Sequence, residues 1–158
     1  GAKVLEIGAG IGFLAGHCAN IRPDLAFVLQ EDHPGLRQTL RLVCTKSQRG
    51  FDHRFVLLDQ GLGADPAAAV LALIGEHRPD ALLLADPRLS PEVLAAIMSG
   101  LPAPPPAQIM LYGRWLEDFH ARAGEVAAHL VACGYAPEDA FDANIARAFR
   151  LAEDGPDD

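Results

Sequence analysis

The stretch VLEIGAGIGFLA, Val4 to Ala15, constrains this chain more than any other, because it sets three glycines at alternate positions directly behind an apolar run. Val4, Leu5 and Ile7 read as a short buried strand of the kind found at the centre of a parallel sheet. Gly8, Gly10 and Gly12 then clear the following turn of side chains, so that the backbone bends sharply and approaches a ligand without a Cβ in the way. The run FLAGHCA starts a helix whose unbonded N–H groups face the same space. A strand, a glycine loop and a helix in this order form a unit that holds a nucleotide-like molecule.

The spacing and the charge narrow the ligand. A dinucleotide fingerprint is G-x-G-x-x-G, with the pyrophosphate on the helix N-terminus. Here the spacing is G-x-G-x-G, and Glu6 stands two residues before the first glycine. A carboxylate there repels a pyrophosphate and suits a cationic ligand. A dinucleotide site and a tight turn without a ligand are the alternatives.

Composition sets the outer limits. A chain of 158 residues, half of them hydrophobic and 22% charged, is long enough for one domain with a real core and too apolar for disorder. Its formal net charge of −8, with Lys and Arg scattered, argues against a nucleic-acid partner, which needs clustered basic residues. Cys18, Cys44 and Cys133 are widely separated and lack metal-site spacing, so reduced core thiols are expected, with no metal. No signal peptide or bilayer-length stretch is present in the sequence, which predicts a cytoplasmic protein and no membrane partner.

Strand and helix signals alternate along the rest of the chain. Strands are expected over Leu25–Gln30, His53–Asp59, Asp80–Asp86 and Gln108–Gly113, the Asp80–Asp86 strand being the most apolar and hence central. Helices are expected after each: one opening at Pro34 with Leu36, Leu40 and Val43 on one face, one capped by Asp65 ahead of Pro66, and one capped by Ser90 ahead of Pro91 and ended by Gly100. A last helix runs from about Leu116 to Cys133, with Phe119, Ala123, Val126 and Leu130 on one stripe. LPAPPPA is a stiff connector. The segment after CGY reads as two strands around Asp142 to Asn144, and EDGPDD as a disordered acidic tail. The fold class is therefore α/β, a Rossmann-like, doubly wound, mostly parallel sheet closed by a C-terminal antiparallel hairpin, with one domain over residues 1–152 and a tail over 153–158.

Ligands on such sheets bind beyond the carboxyl ends of the strands, where the strand order reverses. Glu31 lies 19 residues beyond Gly12 (31 − 12), the distance at which an acid reaches a ribose hydroxyl pair. Asp32 beside it is the weaker candidate and could equally cap the next helix. Asp59 and Gln60 follow the third strand, Asp86 the fourth, and Tyr112 and Arg114 the fifth. Asp59 has a bland alternative as a loop former, and Asp86 as the start of a turn. The six histidines do not cluster at ligand spacing, although His33 lies near the presumed ribose site.

With these residues in view, LEIGAGIG resembles motif I of the class I S-adenosylmethionine-dependent methyltransferases: a hydrophobic pair, an acid, then G-x-G-x-G. The resemblance implies a seven-stranded sheet and S-adenosyl-L-methionine as cofactor, held by Glu6, Gly8, Gly10, Gly12 and Glu31, with Asp59 toward the adenine amino group. It implies that Asp86 faces the transferred methyl as a general base or substrate anchor. Glu31, Pro34, Gly134 and Tyr135 are similar to the acid-x-x-Pro and Gly-Tyr signatures of the FkbM-type branch. LLADPRLSPE departs from that branch, keeping Asp86 and lacking its lysine and its acid-glycine pair. The expected function is methyl transfer to a small-molecule acceptor, at an oxygen; the alternative is a catalytically inert methyltransferase-like domain serving cofactor binding or assembly. Class I enzymes carry helices before the first strand, so an additional domain or N-terminal segment of a longer polypeptide is expected, and the 158-residue chain is expected to fold but to transfer little methyl by itself.

Overall fold

The computed structural model describes residues 1–46, 54–86, 88–113, 119–138 and 146–152. Five strands and four helices alternate from the start: β1 (Lys3–Ile7), α1 (Phe13–Ile21), β2 (Ala26–Gln30), α2 (Pro34–Lys46), β3 (Phe55–Leu57), α3 (Pro66–His77), β4 (Ala81–Leu84), α4 (Pro91–Ser99) and β5 (Gln108–Tyr112). Helix α5 (Phe119–Ala132) and the pair β6 (Tyr135–Pro137) and β7 (Ala146–Leu151) follow. The sheet has seven strands in the order β3-β2-β1-β4-β5-β7-β6, parallel as far as β5 and antiparallel from there. Strand β4 is central, as its composition requires.

Alternation along the strands sorts the core into two layers. Leu5 and Ile7 of β1 point to the face covered by α3, α4 and α5, where Val70, Ile74, Ile97, Val126 and Leu130 are buried. Phe27 and Leu29 of β2 point to the opposite face, against Ala15 and Ala19 of α1 and Leu40 and Cys44 of α2. The cap signals hold. The Asp65 side chain accepts the Ala68 N–H at 3.0 Å and the Ser90 hydroxyl accepts the Val93 N–H at 3.3 Å, each with proline inside the first turn. At the end of α1 the guanidinium of Arg54 donates to the carbonyls of Ala19, Arg22 and Leu25.

Four expectations are corrected. The strands are shorter than the apolar runs, because the outermost residues of each run leave the ladder for the loops. Leu36 and Val43 are exposed; the buried face of α2 is turned toward Leu40 and Cys44, since this helix packs at the end of the sheet, against the edge strand β3 and its neighbour β2. Of the cysteines only Cys44 is buried: Cys18 is half-buried, and Cys133, exposed beyond α5, points its thiol at the Met98 carbonyl. Asp32 does not cap α2. The His33 ring does, its Nδ1 accepting from Gly35 and Leu36. The acidic tail, the Asp142–Asn144 segment, Leu116 and Arg114 lie outside the described residues.

Candidate functional site

The strand order reverses between β1 and β4, and the glycine loop leaves the sheet at that point. Its three glycines, all at positive φ, do different things. A Cβ on Gly8 would lie 2.5 Å from the Asp86 backbone nitrogen, so the absent side chain is what lets the loop pack on the backbone after β4. A Cβ on Gly12 would meet Leu40 at 2.6 Å, which seats the start of α1 against α2. Only Gly10 fronts open space, with no atom within 4 Å of the position a Cβ would take. The approach to a ligand inferred from all three glycines is thus open at Gly10 alone, while the outer two shape the protein.

Strand β2 braces this loop twice. The Gln30 carbonyl accepts from the N–H groups of Gly8 and Ala9, both at 2.9 Å. Glu31, 6% exposed, accepts the Gly10 N–H on one carboxylate oxygen at 2.7 Å and the His33 N–H on the other at 2.8 Å. One carboxylate therefore fixes both the loop and the turn into α2, and each oxygen keeps a further lone-pair direction.

Glu6 is the unusual member. It is 3% exposed, and no hydrogen bond or ion pair reaches its carboxyl among the described residues. Burial, and after it the Glu31 carboxylate, push its pKa up to about 8. A buried acid without a partner is costly unless it stays protonated or meets a cation. It also acts on its neighbour: burial and then Glu6 push the Cys18 thiol up.

Beyond β4, Asp86 is buried. Its Oδ1 accepts the Arg88 N–H at 2.8 Å, forming the turn that sequence reading offered as its bland role, and lies 3.4 Å from Arg88 Nε. Arg88 continues to Asp32, whose Oδ2 it meets at 2.9 Å, while Asp32 Oδ1 accepts the Leu62 N–H at 2.8 Å. Arg88 and Asp32 thereby tie together the loops after β2, β3 and β4, a link sequence reading missed, because Arg88 and Asp32 are 56 positions apart (88 − 32). Asp59 does not join the cluster. Its side chain is 73% exposed and pairs with Arg41 of α2. Gln60 contributes its carbonyl, which lies 3.5 Å from Gln30 Nε2, and Gln30 Oε1 is buried without a partner among the described residues. The structure thus brings Glu6, Gly8, Gly10, Glu31 and Asp86 together at the switch point, with Gly12 at the helix start and Asp59 outside.

Comparison with known proteins decides the fold. Matches to solved structures include precorrin-6Y C5,15-methyltransferase from Geobacter metallireducens, with a TM-score of 0.57 at 19% identity over 87% of this chain and 65% of that one. They include an O-methyltransferase family 2 protein from Planctomyces limnophilus in complex with apigenin, at 0.63 and 14% over 96% and 50%. The S-adenosylmethionine-dependent methyltransferase SibL matches at 0.60 and 15%, over 96% and 51%. The fold is that of the class I methyltransferases. The chain spans between half and two-thirds of the length of these three methyltransferases. No family model matches the sequence, and no curated protein matches it. Among the described residues no helix is long and apolar enough to cross a membrane, and no group of three or more His, Cys, Asp or Glu residues is arranged to hold a metal ion.

Proposed function

We propose that this chain is the S-adenosylmethionine-binding domain of a methyltransferase that acts on a small molecule at an oxygen, within the FkbM-type branch. The observation that carries the reading is the glycine loop at the switch point, where Gly10 fronts open space, Glu31 braces its N–H, and Glu6 before the loop is buried with no hydrogen-bond partner among the described residues. Those residues fit a cationic nucleoside. Gly10 gives its backbone room, the free lone pairs of Glu31 take the ribose hydroxyls, Glu6 faces the positive charge, and Asp59 takes the adenine amino group once it leaves Arg41. When bound, the cofactor supplies an electrophilic methyl group on a sulfonium. The protein's own part is to orient acceptor and donor in line and to receive a proton. Asp86 shapes the loop beside the acceptor. The branch assignment draws on Glu31, Pro34, Gly134 and Tyr135, and two of these have local roles: Pro34 opens α2, and the Tyr135 hydroxyl donates to the Pro106 carbonyl at 2.5 Å.

A second reading is a methyltransferase-like domain without catalysis. The engagement of Asp86 by Arg88 favours it, as does a β4–α4 loop lacking the branch's lysine and acid-glycine pair. Isothermal titration with S-adenosylmethionine, S-adenosylhomocysteine and NAD in parallel tests the cofactor. Binding of the first two with none of NAD is the expected result, and binding of NAD alone would overturn the proposal. Turnover then separates the two readings, and extension of the chain within a longer polypeptide is expected to tighten cofactor binding.

A further inference from the structure

Strand β1 lies between β2 and β4 in the sheet. A side-chain bridge from the loop after β4 to the loop after β2 therefore spans the carboxyl end of β1, where the glycine loop departs. Arg88 makes that crossing. Two strand spacings amount to about 10 Å, and Arg88 covers them by meeting Asp32 Oδ2 at 2.9 Å while its Nε stays 3.4 Å from Asp86 Oδ1. Asp32 adjoins Glu31, so the bridge ends one residue from the carboxylate that braces Gly10.

The two arms of the bridge differ in freedom. Asp32 is held from its other side: its Oδ1 accepts the Leu62 N–H at 2.8 Å, and a Cβ on Gly61 would lie 2.7 Å from that oxygen. Arg88 is anchored at its root. Its backbone N–H donates to Asp86 Oδ1 at 2.8 Å, its carbonyl accepts the Ser90 N–H at 3.0 Å, and Leu89 beside it is buried. Beyond that root the side chain is unbranched and 41% exposed, and among the described residues the two carboxylates are its partners. A swing of this one side chain opens the bridge without moving a strand or a loop.

We propose that the Arg88–Asp32 pair is a strap across the nucleoside crevice, closed in the free chain, which the adenosine part of the cofactor displaces in order to seat between the loops after β2 and β4. The inference rests on the methyltransferase reading, which puts the ribose on Glu31. The energetics suit such a device. A half-exposed ion pair contributes little and is screened by salt, so it closes the crevice and still yields to a ligand that gains a charge-assisted bond at Glu31. The apparent affinity is lowered by the fraction of chains whose strap is open, and Arg88 sets that fraction.

The test titrates adenosine into the 158-residue chain and into Arg88→Met, which keeps the unbranched stem and drops the charge. Adenosine is uncharged, so salt acts on the protein's own pair. At about 0.01 M salt the variant is expected to bind about two- to fivefold more tightly, the worth of a half-exposed ion pair. At about 1 M salt, where the screening length falls to about 3 Å, the two affinities should converge. In the wild type the Arg88 Nε–H signal, followed by heteronuclear NMR, should lose its protection from exchange as adenosine saturates. That signal decides the matter alone if the variant fails to fold by circular dichroism. Equal or weaker binding by Arg88→Met at low salt, a difference that persists at high salt, or an Nε–H signal unchanged at saturation overturns the strap. S-adenosylhomocysteine titrated into both proteins separates the two levels. Its binding with no gain in Arg88→Met removes the strap alone, and no binding of either nucleoside to either protein removes the methyltransferase reading with it.

Discussion

The Glu31 carboxylate accepts the Gly10 N–H at 2.7 Å, joining the end of β2 to the one glycine of the loop that fronts open space. An acid placed by its distance along the chain to meet a ribose also holds the loop that would receive the rest of the nucleoside. Binding and loop geometry therefore depend on the same side chain.

Replacing Glu31 by Ala is expected to weaken S-adenosylhomocysteine binding about ten- to a hundredfold, the value of a lost charge-assisted hydrogen bond. Asp32→Ala should cost less, because both Asp32 carboxylate oxygens are already engaged, by the Leu62 N–H and by Arg88. Calorimetric titration of both variants checks the order, and equal losses would contradict it.

Gly8→Val and Gly10→Val should separate stability from binding. Both force a side chain into a left-handed backbone conformation, at about 1–2 kcal/mol. Only the Gly8 variant also overlaps the Asp86 backbone, which adds roughly 1–3 kcal/mol of overpacking. Urea denaturation is expected to show the larger loss for Gly8→Val, while Gly10→Val retains most of its stability and loses cofactor binding.

Glu6→Gln should alter how stability depends on pH. With its pKa raised to about 8 from 4.5, Glu6 binds a proton more tightly in the folded chain. Its contribution to stability is fully present below about pH 4.5 and is lost as pH rises through 8. Relative to wild type, the glutamine variant should gain stability between pH 5 and pH 8.5. Urea midpoints at those two values measure this, and a constant difference would contradict it.

S-adenosylmethionine binding near pH 7 is expected to release a proton, since a sulfonium beside Glu6 favours the ionised carboxylate. Calorimetry in two buffers of different ionisation enthalpy counts the protons. S-adenosylhomocysteine, which lacks the sulfonium charge, should release fewer, and Glu6→Gln should release none by either ligand.

Much of the fold could be read directly from the chain because each signal was local. Pro66 behind Asp65, Pro91 behind Ser90 and the glycine-loop unit state their geometry within a few residues. The site was only partly legible, for two reasons. A glycine's spacing does not say what occupies its missing side chain, so Gly8 and Gly10 look alike in sequence and differ in space. The partners of Asp32 come from two other loops, and only the folded sheet brings Leu62 and Arg88 to it. The rotation of α2 likewise follows from its place at the sheet edge, which periodicity alone does not encode.

The absence of room between Gly8 and Asp86 bears on how such a domain can be re-engineered. The backbone after β1 and the backbone after β4 are moulded to each other, with no intervening side chain to repack. A β4–α4 loop grafted from another protein with the same architecture would have to reproduce that backbone surface atom for atom or displace the glycine loop. The two segments would have to be exchanged as a matched pair, whereas the β3–α3 loop meets its neighbour through a side chain, the Asp32 carboxylate that accepts the Leu62 N–H.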